Sequence, residues 1–222
     1  MKKAVVLLSG GLDSATALFA AQQRGFQVHG LIFDYGQRHR KEIDSARRIA
    51  RQARCSCQVI KFRLPWKGSS LLDKSVALPR NLKSRRTGIP STYVPGRNTI
   101  FLSMALSYAE RIGAADIFIG ANALDYSGYP DCRPRYYRAF NRLASLATKA
   151  GIEGKKIRIR TPLLHLKKSQ IIKLGLKLGV PYEKTWSCYQ GDRRPCGRCD
   201  SCVLRAKGFR EAGMTDPLIG DR

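Results

Sequence analysis

Acidic residues are scarce: 16 Asp and Glu stand against 41 Lys and Arg, leaving a formal charge of +25 over 222 residues. So basic a chain invites nucleic acid or another acidic partner before any motif is read. No apolar run approaches the roughly 20 residues of a membrane span. The opening MKKAVVLLSGG turns at glycine too soon for a secretory signal. A cytoplasmic protein is expected. With 43% hydrophobic against 26% charged residues, disorder by composition is excluded. Internal repeats and low-complexity tracts are also missing. The seven cysteines are an odd number, and four of them fall between Cys188 and Cys202, which suits metal ligation and not a secreted disulfide framework. Cys55, Cys57 and Cys132 read as buried, inert thiols, because free cysteine behaves as a small hydrophobe.

What remains has a clear rhythm. Ala4 to Leu8, Val28 to Phe33 and Gln58 to Phe62 are apolar, β-branched runs, separated by amphipathic stretches from Asp13 to Arg24 and Lys41 to Arg54. This βαβ alternation predicts an α/β fold: an open, mostly parallel, Rossmann-like sheet with helices on both faces. The second helix carries Arg47, Arg48, Arg51 and Arg54 away from its apolar stripe and reads as a surface helix with a basic outer face. Pro65 to Arg97 is rich in proline and glycine and breaks the rhythm, as a lid or substrate loop would. Helices are predicted from about Asn98 to Ile112, Tyr136 to Lys149 and Lys168 to Leu178, and strands over Asp116 to Gly120 and Lys156 to Arg160. Composition shifts at Trp186, so residues 1–185 are expected to form a catalytic domain and 186–222 a small cysteine module packed on it.

Between the first strand and first helix lies Ser9-Gly10-Gly11-Leu12-Asp13-Ser14. Glycines there permit a tight turn, while serine hydroxyls and free amides at a helix start offer donors to an anion. An ordinary βα turn is the alternative on position alone. The loop is not a Walker A motif, because no Gly-Lys-Ser/Thr follows, and it lacks the G-x-G-x-x-G spacing of a dinucleotide site.

Ser-Gly-Gly-x-Asp-Ser after a first parallel strand resembles the pyrophosphate (PP) loop of the ATP-pyrophosphatase superfamily. Further blocks narrow the resemblance: Phe33 to His39 (FDYGQRH), Tyr93 to Asn98 (YVPGRN), Asn122 to Arg133 (NALDYSGYPDCR), and Cys188 with Cys196 to Cys202 (CGRCDSC). In order and nearly end to end, these resemble the QueC family of 7-cyano-7-deazaguanine synthases. The resemblance implies a carbon–nitrogen bond-forming ligase. It would convert 7-carboxy-7-deazaguanine, ammonia and ATP to the 7-cyano compound, a precursor of queuosine or archaeosine. A carboxylate does not react with ammonia at neutral pH, so its oxygen must first become a leaving group. Activation, amide formation, and a second activation that expels the amide oxygen would give the nitrile.

Roles follow from residue type within the resemblance. The segment Leu8, Ser9, Gly10, Gly11, Leu12, Asp13, Ser14, Ala15, Thr16, Ala17 and Leu18 is expected to bind ATP, with Asp13 capping the helix or helping to hold Mg²⁺. Arg97 and Lys168 are the candidates for neutralising phosphate or substrate charge during catalysis. Asp125, in the loop after the fourth strand, would accept hydrogen bonds from the purine-like edge. Tyr93, Tyr126 and Tyr129 would stack on the ring. Many family members carry an acid where Gln170 stands. A homodimer is implied by the resemblance only.

Cys188, Cys196, Cys199 and Cys202 offer four thiolates at short spacings, which suits a closed, structural, tetrahedral Zn²⁺ site. An iron–sulfur cluster is the rival, although the fourth near cysteine and following proline of ferredoxin runs are missing. Two other functions compete: a tRNA-modifying enzyme of the same superfamily, and a basic zinc protein that binds nucleic acid without catalysis. The first would add a recognisable RNA-binding domain, and the second leaves the glycine loop unexplained. Much of the basic excess sits on the helix from Lys41 to Arg54 and between Arg135 and Lys173, outside the quoted motifs, and reads as surface bias.

Overall fold

The computed structural model describes residues 1–81, 88–124 and 128–220. Five strands, β1 (Lys3–Leu7), β2 (Gln27–Asp34), β3 (Ser56–Lys61), β4 (Asp116–Ile119) and β5 (Arg158–Arg160), form one parallel sheet in the order β3-β2-β1-β4-β5. The helices are α1 (Leu12–Gln23), α2 (Lys41–Gln52), α3 (Arg97–Ile112), α4 (Pro134–Ala147), α5 (Lys149–Ile152), α6 (Lys168–Lys177) and α7 (Asp200–Ala212). The fold class is the doubly covered, parallel α/β sheet expected from the βαβ rhythm. Among the described residues no helix is long and apolar enough to cross a membrane.

Alternation along the central strands explains the two-sided core. Ala4, Val6 and Leu8 point into one layer with α1, α2, α6 and Phe209 of α7, while Val5 and Leu7 point into the other with α3 and α4. β1 is paired on both sides, to β2 and β4, and all but its first residue are buried. The chain leaves β1 toward β2 on one side and reaches β4 on the other, so the carboxyl ends of β1 and β4 flank a topological switch point, where open α/β sheets bind ligands.

Close backbone approach fixes that corner. A Cβ on Gly120, just past β4, would lie 2.7 Å from the carbonyl atoms of Asp13 and from the amide of Ser14. Neither backbone can yield cheaply, so Gly120→Ala is expected to cost about 1–3 kcal/mol in denaturant unfolding. Because the same push displaces the start of α1, the variant should also bind ATP more weakly; an unchanged KM for ATP would show that the approach does not position the loop.

The last helix is where sequence and structure differ most. No helix is predicted beyond Leu178, yet α7 starts from Cys199 as N-cap and ends at Gly213, whose φ of 74° suits glycine. Arg205, 4% exposed, donates to both carboxylate oxygens of Asp216 at 2.7 and 2.8 Å, to Thr185 Oγ1 at 2.6 Å and to the Tyr182 carbonyl at 3.0 Å. One buried guanidinium thus ties α7, the tail end and the segment entering the cysteine cluster together.

Of the three outlying cysteines, Cys57 corrects the expectation of burial. It is exposed on β3, which among the described residues is an edge strand of the sheet, while Cys55 and Cys132 are half-buried.

Candidate active site

A cavity of about 310 Å³ opens at the switch point, lined by the β1–α1 loop, the ends of β2 and β4, the starts of α2, α3 and α6, and Trp186 with its neighbours. The glycine loop forms its floor. Gly10 has φ 85°, and a Cβ there would lie 2.2 Å from the Glu42 carbonyl oxygen, so both conformation and space demand glycine. Gly11 is the N-cap of α1 and brings no side chain to the helix amides, leaving them for a ligand. Ser14 Oγ donates to the Gly11 carbonyl at 3.0 Å, accepts from the Ser9 amide at 3.2 Å, and lies 3.0 Å from Ser9 Oγ. The result is a loop held in one shape with hydroxyls and amides at a helix start, as an anion cradle requires.

Leu8, Ser9, Gly11, Leu12, Asp13 and Ser14 line the cavity. Gly10 turns toward α2, where Ser45 Oγ and the Trp186 amide donate to its carbonyl at 3.1 and 2.8 Å. Ala15, Thr16, Ala17 and Leu18 run into the core, fully buried, and do not line the cavity. Thr16 Oγ1 donates to the Leu12 carbonyl and meets Tyr182 OH, both at 2.9 Å, anchoring α1 from behind.

Asp13 does not cap α1. Its two carboxylate oxygens accept from Lys168 Nζ at 2.7 and 2.8 Å, with the lysine 14% and the aspartate 28% exposed. Lys168 opens α6, where the helix dipole disfavours a cation, and the Asp13 pair compensates. The same turn explains Gln170: its Oε1 accepts from the Lys167 amide at 2.8 Å, which an acid at that position would do equally.

Arg97 also opens a helix, α3, after Gly96 at φ 63°, one residue earlier than the sequence suggests. Burial disfavours its charge, but the fields of Tyr35, Tyr129 and Asp131 outweigh burial and hold it protonated. Its Nη1 reaches Tyr35 OH at 3.5 Å. Asp131, buried, accepts from the Asn98 amide at 3.3 Å. A cation secured in this way at the cavity edge is placed to bind anions.

Tyr129 lines the cavity and its hydroxyl lies 2.5 Å from Thr92 Oγ1. Tyr93 stands behind it, ring centroids 6.0 Å apart, with its hydroxyl accepting from the Gly96 amide at 3.3 Å. Tyr93 is not part of the cavity wall. Asp125 and Tyr126 lie outside the described residues. From the described part of the irregular segment, Leu71 reaches the cavity, and Arg38 Nη1 donates to the Ser70 and Val76 carbonyls at 3.1 and 3.2 Å.

Tyr35, Glu42 and Asp131 were missed by reading from residue type alone. Glu42 is the most informative of them. It lies in the first turn of α2 and faces the cavity, and burial pushes its carboxyl up to about 7, with Arg97 opposing and Cys188 adding to the rise.

The four sulfurs of Cys188, Cys196, Cys199 and Cys202 lie within 4.8 Å of one another. Backbone amides of Gln190 and Cys196 donate to Cys188 Sγ at 3.4 and 3.3 Å, and that of Cys199 to Cys196 Sγ at 3.3 Å. Such donors favour thiolates, so the cluster fits a metal ion by both distance and charge. Trp186 packs on the cluster, donates from Nε1 to the Cys188 carbonyl at 2.9 Å, and joins it to the glycine loop through Gly10.

Comparison with known proteins agrees with this geometry. The family described as queuosine biosynthesis protein QueC matches residues 3–213. A 7-cyano-7-deazaguanine synthase from Thermoplasma acidophilum is 55% identical over 218 residues, 98% of this chain and 91% of that protein. One from Azotobacter vinelandii is 57% identical over 220 residues, 97% of each. Among solved structures, the NMN synthetase from Francisella tularensis aligns at 16% identity and TM-score 0.49, covering 96% of this chain and 78% of that one. With matches of this length and identity, the chain belongs to the QueC family.

Proposed function

We propose that the cavity at the β1/β4 switch point performs ATP-dependent synthesis of 7-cyano-7-deazaguanine from 7-carboxy-7-deazaguanine and ammonia, and that both activations take place there. The observation that carries this reading is the convergence of the glycine loop, Lys168 and Arg97 on one cavity. The loop amides with Ser9 and Ser14 receive the ATP phosphates. Asp13, occupied on both oxygens by Lys168, holds that lysine toward phosphate, and Mg²⁺ enters with ATP. A substrate carboxylate oxygen attacks phosphorus, and Lys168 and Arg97 offset the charge that gathers on the transferring group. Ammonia displaces the activated oxygen to give the amide; the amide oxygen is activated in turn and leaves, with loss of the remaining N–H protons, as the nitrile forms. Tyr129 with Tyr126 stacks on the ring, with Tyr93 supporting Tyr129, and Asp125 takes the guanine-like edge.

The cysteine cluster holds a structural Zn²⁺ that fixes the tail against the loop and takes no part in the chemistry. The iron–sulfur alternative fits less well, since the four sulfurs are gathered for a single tetrahedral ion. The enzyme works in the cytoplasm on small molecules, and none of these steps needs nucleic acid. A homodimer would cover Leu146 and Ile152, which are 70% and 81% exposed on α4 and α5.

The test is direct. Purified protein with ATP, Mg²⁺, ammonia and the carboxy compound should release a product with the mass of the nitrile. A product that never forms, under conditions where a relative from the same family turns over, would refute the reading.

A further inference from the structure

The nitrogen step has no residue assigned to it so far. Attack by ammonia on an activated carboxyl requires a group to take an N–H proton, and a carboxylate there would also attract ammonium, the dominant form at neutral pH. Arg97 and Lys168 are cations and cannot serve. Asp13 is committed to Lys168 at 2.7 and 2.8 Å, and Asp131 to the Asn98 amide. Glu42 is different. It is half-buried, it lines the cavity beside the glycine loop, and among the described residues no hydrogen bond or salt bridge engages its carboxylate. Its own backbone carbonyl lies where a Cβ on Gly10 would intrude, so the first turn of α2 is fixed relative to the phosphate cradle.

We propose that Glu42 is the ammonia-binding residue and general base of the amide-forming step. The inference rests on the reaction proposed above. In that step the nitrogen lone pair forms the C–N bond, and the C–O bond to the phosphorylated oxygen breaks with its electron pair leaving on the phosphate ester. One N–H proton passes to a Glu42 oxygen, and the carboxyl group then returns that proton to water. Arg97 from α3, Tyr35 after β2, Arg38, His39 and the Asp13–Lys168 pair share the cavity wall with Glu42, and the charges of Arg97 and Cys188 act on its carboxyl. Glycine-loop geometry and charge suit the phosphate end of the site; Glu42 supplies an uncommitted carboxylate oxygen on the same cavity wall, beside His39.

Hydroxylamine separates this role from the others, because it is largely neutral near pH 7 and traps activated carboxyls as hydroxamates without help from a base. In wild-type protein, ATP and the carboxy substrate with hydroxylamine should give hydroxamate, and with ammonium should give amide and nitrile. Glu42→Gln is expected to form hydroxamate at a rate close to wild type while amide formation falls about 100-fold or more. The KM for ammonium should rise, and Glu42→Asp should recover part of the loss. Amide formation by Glu42→Gln at the wild-type rate would overturn the proposal, as would loss of hydroxamate and amide together, since Glu42 would then act before nitrogen arrives. Absence of hydroxamate and nitrile with the wild-type protein would instead overturn the underlying reaction.

Discussion

Replacing Cys202 by serine is expected to lower the unfolding free energy by about 4 kcal/mol or more, which for a chain of this size corresponds to a fall in Tm of roughly 8–16 °C. Four sulfurs within 4.8 Å of one another are placed to bind a metal as a unit, and serine would leave three ligands and a weaker site. Metal binding to such a cluster would be folding energy, and the tail's own buried apolar set is small: Trp186, Cys188, Cys199, Cys202, Leu204 and Phe209. The Arg205–Asp216 pair and Phe209 keep α7 partly anchored, so the loss should be local, with the sheet surviving. Activity should fall with it, because Trp186 links the cluster to the Gly10 carbonyl. Differential scanning calorimetry and metal analysis check this, with prolonged chelation of the wild type as a second arm. Cys57→Ser, at an exposed thiol, should change stability by no more than about 0.5 kcal/mol. Equal effects of the two substitutions would remove the metal from the account of the tail.

Arg97→Ala is expected to reduce turnover by about 10²–10³-fold. Arg97 meets the cavity with a guanidinium whose charge is secured by Tyr35, Tyr129 and Asp131, so it can stabilise negative charge without reorganising. Arg97→Lys should restore only part of the activity, since an ammonium cannot present the planar fork. Stability should change little. Relief of a cation opposing the dipole in the first turn of α3 is offset by loss of the contacts with Tyr35 and Asp131, so Arg97→Ala should shift stability by no more than about 1 kcal/mol. Loss of activity with a maintained Tm is the signature of a functional residue. A parallel loss of both would make Arg97 a structural one.

The parallel sheet was legible because its strands are buried on both faces and therefore read as unbroken apolar runs, from Ala4 to Leu8 and from Val28 to Phe33. Boundaries differ by one or two residues at most of these elements. The glycine loop was legible because a tight turn before a helix needs Gly10 and Gly11. Arg97 was legible only through the Tyr93 to Asn98 motif, and Lys168 only as a cation at a helix start after Thr161-Pro162-Leu163: in a chain with 41 basic residues, little in their local sequence separates them from surface cations. Their partners, Asp13 and Tyr35, come from segments 155 and 62 residues away. α7 was hidden because its buried positions include Asp200, Arg205 and Gly208, which obscure any apolar stripe. Its boundary signals, an acid in the first turn and Gly213 past the end, were present. Glu42 was hidden for a different reason. Periodicity assigns α2 a basic solvent face and an apolar inner stripe, but the helix start abuts Gly10, and that end-on contact has no sequence period. The four cysteines needed no tertiary reasoning, since three of them fall within seven residues.

The measurement closest to the central claim is the fate of synthetic 7-amido-7-deazaguanine incubated with the protein, ATP and Mg²⁺ in the absence of ammonia. If one cavity performs both activations, the amide is converted to the nitrile with consumption of ATP, and Arg97→Ala slows this conversion along with amide synthesis from the carboxylate. An amide that is left untouched while the carboxylate is still converted to nitrile would contradict the claim.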